Sequence, residues 1–145
     1  MEAQERRSFV LGVDVLYRLS WASLLRVREG LSLEDLRNAI SAFIRERDWE
    51  QFHPPKNLAM ALSVEVAEVV EHFQWLTEED SKKLPPEKLA EVREEIGDVM
   101  IYLTELADKL GIDPVEAAKA KMTINGQKYP AELVKEKASK YTEYA

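Results

Sequence analysis

The chain has 145 residues, 46% apolar and 32% charged, a composition that excludes a disordered polymer and fits one folded domain with its own core. With no cysteine there is no thiolate nucleophile, no cysteine-bound zinc and no disulfide framework, as expected of a chain that works in the reducing cytoplasm. Its formal charge of −7, from 20 basic and 27 acidic residues, argues against a nucleic-acid-binding or anionic-membrane surface, and means that a small anionic substrate needs local cations or a metal.

Residues 1–30 are read as an N-terminal helical extension. The stretch from Phe9 to Val27 is rich in apolar residues, but Asp14, Arg18 and Arg26 interrupt it and no small-residue cleavage site follows. An amphipathic helix packed on the body or on a partner subunit is expected, in preference to a membrane span. Glu2 and Glu5 also weigh against an organellar targeting helix.

From Gly30 the signals are those of helices joined by short loops. Ser32 and Asp35 match a capping box, and Leu33, Leu36, Ile40, Phe43 and Ile44 then recur at helical spacing, predicting a helix from about Leu33 to Arg47. Asp48 to Pro55 follows as a loop, since Pro54 and Pro55 fix φ and remove donors, and this loop holds Trp49 and Phe52 near the next helix. That second helix is predicted from about Lys56 to Trp75, and the charged stretch from Thr77 to Lys83 is a connector. Pro85 and Pro86 open a third helix, which Gly111 ends, and Asp113-Pro114 caps and starts a fourth that finishes near Asn125-Gly126. A loosely attached tail is expected over residues 131–145. The fold class is therefore all-α: four core helices over residues 31–130, plus the N-terminal helix.

The chemistry falls on the second and third of these core helices. Leu58, Leu62, Val66, Val69 and Phe73 form an apolar stripe on the second, with Glu65 and Glu68 one turn apart beside it. On the third, Leu89, Val92, Ile96, Val99, Leu103, Leu106 and Leu110 follow an a/d-like spacing, flanked by Glu95, Asp98 and Tyr102 at i, i+3 and i+7. Antiparallel packing through the two stripes brings four carboxylates together at the edge of a low-dielectric core, where their repulsion raises pKa values or demands a cation. The donors are oxygens, with only two histidines in the chain, so Mg²⁺, or Mn²⁺ as a substitute, fits better than zinc. A single E-x-x-E is more often a solvated helix face, but two acidic pairs beside apolar stripes on successive helices favour a metal. Glu91 and Glu94 are read as surface charge, because Glu94 points away from the line of Glu95, Asp98 and Tyr102 on a straight helix.

These residues resemble a known family. Glu65-Val66-Ala67-Glu68, followed by Glu95-Ile96-Gly97-Asp98 and Tyr102, is similar to the E-x-x-E…E-x-x-D signature of MazG-like all-α nucleoside triphosphate pyrophosphohydrolases. The run from Arg47 to His53, then Lys56-Asn57-Leu58, Phe73-Gln74-Trp75, Lys121-Met122, Asn125, Tyr129-Pro130 and Lys140-Tyr141-Thr142, resembles the dCTP pyrophosphatase branch in order and spacing. The likeness spans about Ser32 to Glu143. It implies Mg²⁺-dependent hydrolysis of a deoxynucleoside triphosphate, dCTP and its modified forms first, to the monophosphate and pyrophosphate. Glu65, Glu68, Glu95 and Asp98 would hold the metal and serve as the catalytic residues.

The same resemblance implies that Lys56, Lys121 and Lys128 offset phosphate charge and that Trp49 and Trp75 offer faces for base stacking. Asn57 belongs to the same substrate-binding set, His53 or Asn125 would read polar edges or hold the sugar and phosphates, and Tyr102 either positions a phosphate or is a core tyrosine. It also implies a homodimer or homotetramer and a part in clearing surplus or damaged nucleotides. In one place the chain departs from the pattern: Ile40 stands where dCTP-preferring members often carry a histidine, and it cannot pair with a base edge. Loss of a polar reader relaxes base discrimination, so a broader dNTP range, or a dUTP or phosphoribosyl-ATP substrate, is the alternative within enzymes. Outside enzymes, the rival is a helical interaction module that binds a metal without turnover.

Overall fold

The computed structural model describes residues 30 and 32–136. The expected N-terminal helix, and the tail beyond Glu136, lie outside the described residues. Within them every regular element is helical, as expected. They are α1 (Leu33–Arg45), a 3-10 turn (Trp49–Phe52), α2 (Pro55–Glu71), the short α3 (Glu78–Ser81), α4 (Pro86–Lys109), α5 (Pro114–Lys128) and α6 (Ala131–Val134). The chain divides into two compact units at Leu110 and Gly111, α1 to α4 in the first and α5 and α6 in the second.

Local chemistry accounts for most of the boundaries. At the start of α1 the Ser32 hydroxyl accepts from the Asp35 N–H at 3.1 Å, while the Asp35 carboxylate accepts from the Ser32 N–H at 3.0 Å, so the capping box is formed. A proline stands in the first turn of α2, α4 and α5, where its missing N–H costs no intrahelical bond. The Asp113 carboxylate accepts from the N–H groups of Val115 and Glu116, fixing the start of α5. Gly111 has φ +64°, the left-handed conformation that closes a helix at low steric cost.

Several boundaries differ from the sequence reading. The first helix stops at Arg45 and the second at Glu71, each followed by turns. The charged connector contains α3, capped by the Thr77 hydroxyl, which accepts from the Asp80 N–H. The fourth helix does not end at Asn125-Gly126 but continues to Lys128, with Gly126 in helical conformation. Asn-Gly favours a left-handed stop without compelling one, and the cost of a helical glycine is only about 1 kcal/mol.

In the first unit α2 lies chiefly against α4, and α1 packs on α4 beside it. The pairing of α2 and α4 is antiparallel: His72, just past the end of α2, meets Glu91 and Glu95 early in α4, whereas His53, just before α2, meets Glu105 late in α4. Leu58, only 1% exposed, and Val92 anchor this seam, joined by Ala39, Ile40, Ala42 and Ile44 from α1 and Ala107 from α4. The expected apolar stripe on α4 is split. Val92 is buried and Val99 and Leu106 half-buried, but Leu89, Ile96, Leu103 and Leu110, spaced every seven residues, are exposed, as is Val66 on α2. The a and d positions of α4 thus serve different surfaces, and only one set faces the core of this unit.

Truncating Leu58 to Ala should cost about 2–5 kcal/mol of stability in urea unfolding, by removing buried methyl groups from the α2–α4 seam. Ser32→Ala, which removes one half of the α1 capping box, should cost about 1 kcal/mol in the same measurement.

Candidate metal centre and adjoining cavity

Glu65 on α2 and Glu95 and Asp98 on α4 each place a carboxylate oxygen within 4.8 Å of the others. The spacing that predicts this from sequence is realised because Glu95 and Asp98 lie one turn apart on α4, and the antiparallel seam sets Glu65 beside both. Glu68, one turn along α2, completes the acidic set, near enough to Glu65 and Glu95 for its charge to raise both their pKa values.

Electrostatics show how crowded the four acids are. Burial raises the pKa of Glu65, and the negative charges of Glu68, Asp98 and Glu95 push it further in the same direction. Burial also raises Glu95, reinforced by Glu68 and Asp98 and partly opposed by His72, whose Nε2 lies 3.9 Å from the Glu95 carboxylate. The Tyr102 hydroxyl is raised by burial and then by Glu65, Asp98 and Glu105. Charge of one sign, gathered from two helices into a set of hard oxygen donors, suits a divalent cation, which would replace the repulsion with coordination.

A cavity of about 340 Å³ adjoins these acids. Leu36, Ile40, Phe43 and Ile44 of α1 form its apolar side, Trp49 and His53 border it from the loop, and Asp98, Ile101, Tyr102 and Glu105 reach it from α4. Asp98 belongs to both the carboxylate cluster and the cavity wall, so the two form one continuous site. The volume lies within the range of small-molecule pockets, and a mainly apolar lining with a few polar groups is their usual character.

The tryptophan loop is held by several local contacts. Asp48 adopts φ +52°, an uncommon left-handed value for a non-glycine residue, and turns the chain into the 3-10 segment. Gln51 donates its side-chain amide to the Asp48 carbonyl at 3.0 Å, and Asn57 donates to the Phe52 carbonyl at 3.1 Å, tying the turn to the first residues of α2. The Arg47 guanidinium lies 3.5 Å over the Phe43 ring, and Trp49 packs edge-on against the same ring, with centroids 6.0 Å apart.

Of the substrate-binding residues expected from sequence, the structure brings Trp49, His53 and Tyr102 to the cavity. Asn57 holds the loop, and Lys56 is exposed beside it on the first turn of α2. Trp75, 87% exposed, is not part of the cavity wall. Lys121, Asn125 and Lys128 are exposed on α5, in the second unit. Two residues were missed. His72 approaches Glu95 from the end of α2, and Glu105, 5% exposed, lies in the cavity with its carboxylate 2.7 Å from His53 Nδ1. Glu105 continues the line of Glu95, Asp98 and Tyr102 by three residues, a signal available in the sequence but indistinguishable there from a solvated helix glutamate.

Comparison with known proteins places this arrangement. The family model described as MazG-like matches residues 60–144, which take in all four clustered acids. The chain belongs to the MazG-like family. Proteins named dCTP pyrophosphatase 1 from Mus musculus and Homo sapiens are each 46% identical over 114 residues, covering 77% of this chain and 67% of theirs. A crystal structure of a pyrophosphatase from Archaeoglobus fulgidus is 40% identical, with a TM-score of 0.65, and the match covers 72% of this chain and 99% of that one. Membership of this family implies a divalent metal, and the donor set of Glu65, Glu95 and Asp98 fits one.

The raised carboxyl pKa values give the metal-free protein a definite pH response. Glu65 and Glu95 titrate above their ordinary value of 4.5, so their penalty on folding is absent below about pH 4.5, where both states are protonated, and develops as pH rises through the raised values. Glu95→Gln should therefore melt above the unaltered chain at pH 7 without metal, and lose that advantage near pH 4. Added Mg²⁺ should raise the melting temperature of the unaltered chain more than that of the variant, as scanning calorimetry would read.

Proposed function

We propose that this chain is a nucleoside triphosphate pyrophosphohydrolase that cleaves deoxynucleoside triphosphates between the α and β phosphates, with dCTP and modified dCTP as its first substrates. The observation that carries this reading is the junction at Asp98, where a cluster of acidic metal ligands opens on an apolar cavity bordered by Trp49 and Tyr102. The names of the relatives from mouse and human point the same way.

Glu65, Glu68, Glu95 and Asp98 are assigned as metal ligands, for Mg²⁺ with Mn²⁺ as a substitute. A bound divalent ion supplies charge neutralisation of the phosphates and acidification of a water. The work of the chain is to orient and to accept a proton. Water adds to phosphorus, the bridging P–O bond breaks to release pyrophosphate, and a carboxylate of the cluster not spent on the metal takes the proton. Trp49 offers a stacking face to the base, and Tyr102 stands between the carboxylates and the base cavity. Lys56, Lys121 and Lys128 are proposed to offset phosphate charge, with Asn57, Asn125 and Trp75 completing the substrate contacts.

Residues 31–130 form the catalytic domain in this reading, with residues 1–30 an extension and 131–145 a tail. The protein works as a homodimer or homotetramer in the cytoplasm. Support for assembly comes from the exposed heptad row Leu89, Ile96 and Leu103 on α4, together with Met60 and Val64 on α2, since a helix normally buries such a row against another surface. No helix among the described residues is long and apolar enough to cross a membrane.

Two measurements test this reading. With Mg²⁺, the purified chain should release pyrophosphate and dCMP from dCTP, and Asp98→Asn should reduce kcat/KM by more than about a hundredfold, beyond the loss typical of an outer-shell partner. A folded protein that binds Mg²⁺ and cleaves no triphosphate would make the chain a metal-binding interaction module. For assembly, Ile96→Lys should lower the mass measured by light scattering, and an unchanged mass would place the interface elsewhere.

A further inference from the structure

From the cavity we infer that Glu105, held by His53, is the group that reads the base, accepting a hydrogen bond from the exocyclic amino group of a nucleobase such as cytosine. The inference rests on the pyrophosphohydrolase reading above and adds to it a specificity residue. The Glu105 side chain is 5% exposed and forms part of the cavity wall. One carboxylate oxygen lies 2.7 Å from His53 Nδ1, and among the described residues no second hydrogen bond reaches this side chain. Since no fully buried side-chain oxygen or nitrogen among them lacks a partner, the other oxygen retains accessible surface, and Glu105 is one of the residues that line the cavity.

A carboxylate in such a place must find a donor, because a charged group removed from water and only half paired is costly. The cavity offers few alternatives. Ile40, Phe43, Ile44 and Ile101 have no polar side-chain atoms, and the remaining polar groups are those of Trp49, His53, Asp98 and Tyr102. Asp98 lies seven residues before Glu105 on the same helix, about 10 Å along its axis, so phosphates held at the acidic cluster leave the base to extend toward Glu105.

The chemistry of the two pyrimidines then separates them. Cytosine presents an amino group at position 4, a donor that the open Glu105 oxygen accepts. Uracil and thymine present a carbonyl there, and two oxygens bearing negative charge would face each other without a proton between them. A buried acceptor also rejects the wrong base strongly, because the mismatch leaves it unpaired. Discrimination thus passes to Glu105 in a chain whose Ile40 cannot supply it.

The test compares dCTP with dUTP, which differ only at this edge, using pyrophosphate release with Mg²⁺ for the unaltered chain and for Glu105→Gln. The unaltered chain should favour dCTP by at least about tenfold in kcat/KM. In the variant the amide can turn its N–H₂ toward a carbonyl, so the preference should fall to within about threefold or invert, mainly through KM, with kcat for dUTP maintained. Circular dichroism and the melting temperature would establish that the near-isosteric variant is folded, and Glu105→Ala should abolish the preference without inverting it. A dCTP preference unchanged in both variants, or an equal loss on both substrates, overturns the assignment while leaving the pyrophosphohydrolase in place. Failure of the unaltered chain to cleave any triphosphate overturns both.

Discussion

The first unit depends on holding four carboxylates together beside an apolar helix seam. Glu65, Glu68, Glu95 and Asp98 bring like charge together, burial already disfavours the charged forms of Glu65 and Glu95, and the antiparallel packing of α2 on α4 must resist that repulsion. Its resistance comes from apolar burial around Leu58 and Val92 and from α1 packed on the same helix. A site of this kind sacrifices stability in its empty state and recovers it on binding a cation. The same crowding that weakens the fold is therefore the source of its affinity for a metal.

The rest of the site is arranged around that cluster by two rigid helices and one anchored loop. α4 carries Glu95, Asp98, Tyr102 and Glu105 in a single line, so its 24 residues lead from the acidic cluster to the cavity. The loop between α1 and α2 supplies Trp49 and His53, and backbone-directed bonds from Gln51 and Asn57 limit its freedom. Two of the groups that line the cavity thus sit on a loop whose ends are fixed by the scaffold, which gives precision without burying unsatisfied backbone.

How far the sequence discloses this structure depends on whether a feature is local. The Ser32 capping box, the prolines opening α2, α4 and α5, and the Gly111 stop were all legible, because each acts within one turn of helix. Gly126 misled, since its left-handed preference is weak and the helix simply runs through it. The convergence of Glu65, Glu95 and Asp98 was legible too, because it needs only helical period and one assumption about packing. The burial of Glu105 was not. It depends on how α1 and the tryptophan loop close over α4, and nothing in an i, i+3 spacing distinguishes a covered glutamate from a solvated one. For the same reason the α4 stripe read as one core face, while the fold divides it between Val92, Val99 and Leu106 inside and Leu89, Ile96 and Leu103 outside.

Glu105 also bears on how such a site can change its substrate. The acids that would meet the phosphates and the acid that meets the cavity lie two turns apart on one helix, joined through Asp98 and Tyr102. A substitution at the cavity end alters which donors and acceptors face the cavity, and leaves the geometry of the acidic cluster to the α2–α4 seam. Ile40 and Glu105 illustrate the consequence, for they come from different helices and face the same space, one offering only apolar surface and the other a charged acceptor. On the assignment proposed above, the group that reads the base can therefore be altered at the cavity end while the carboxylate cluster stays in place.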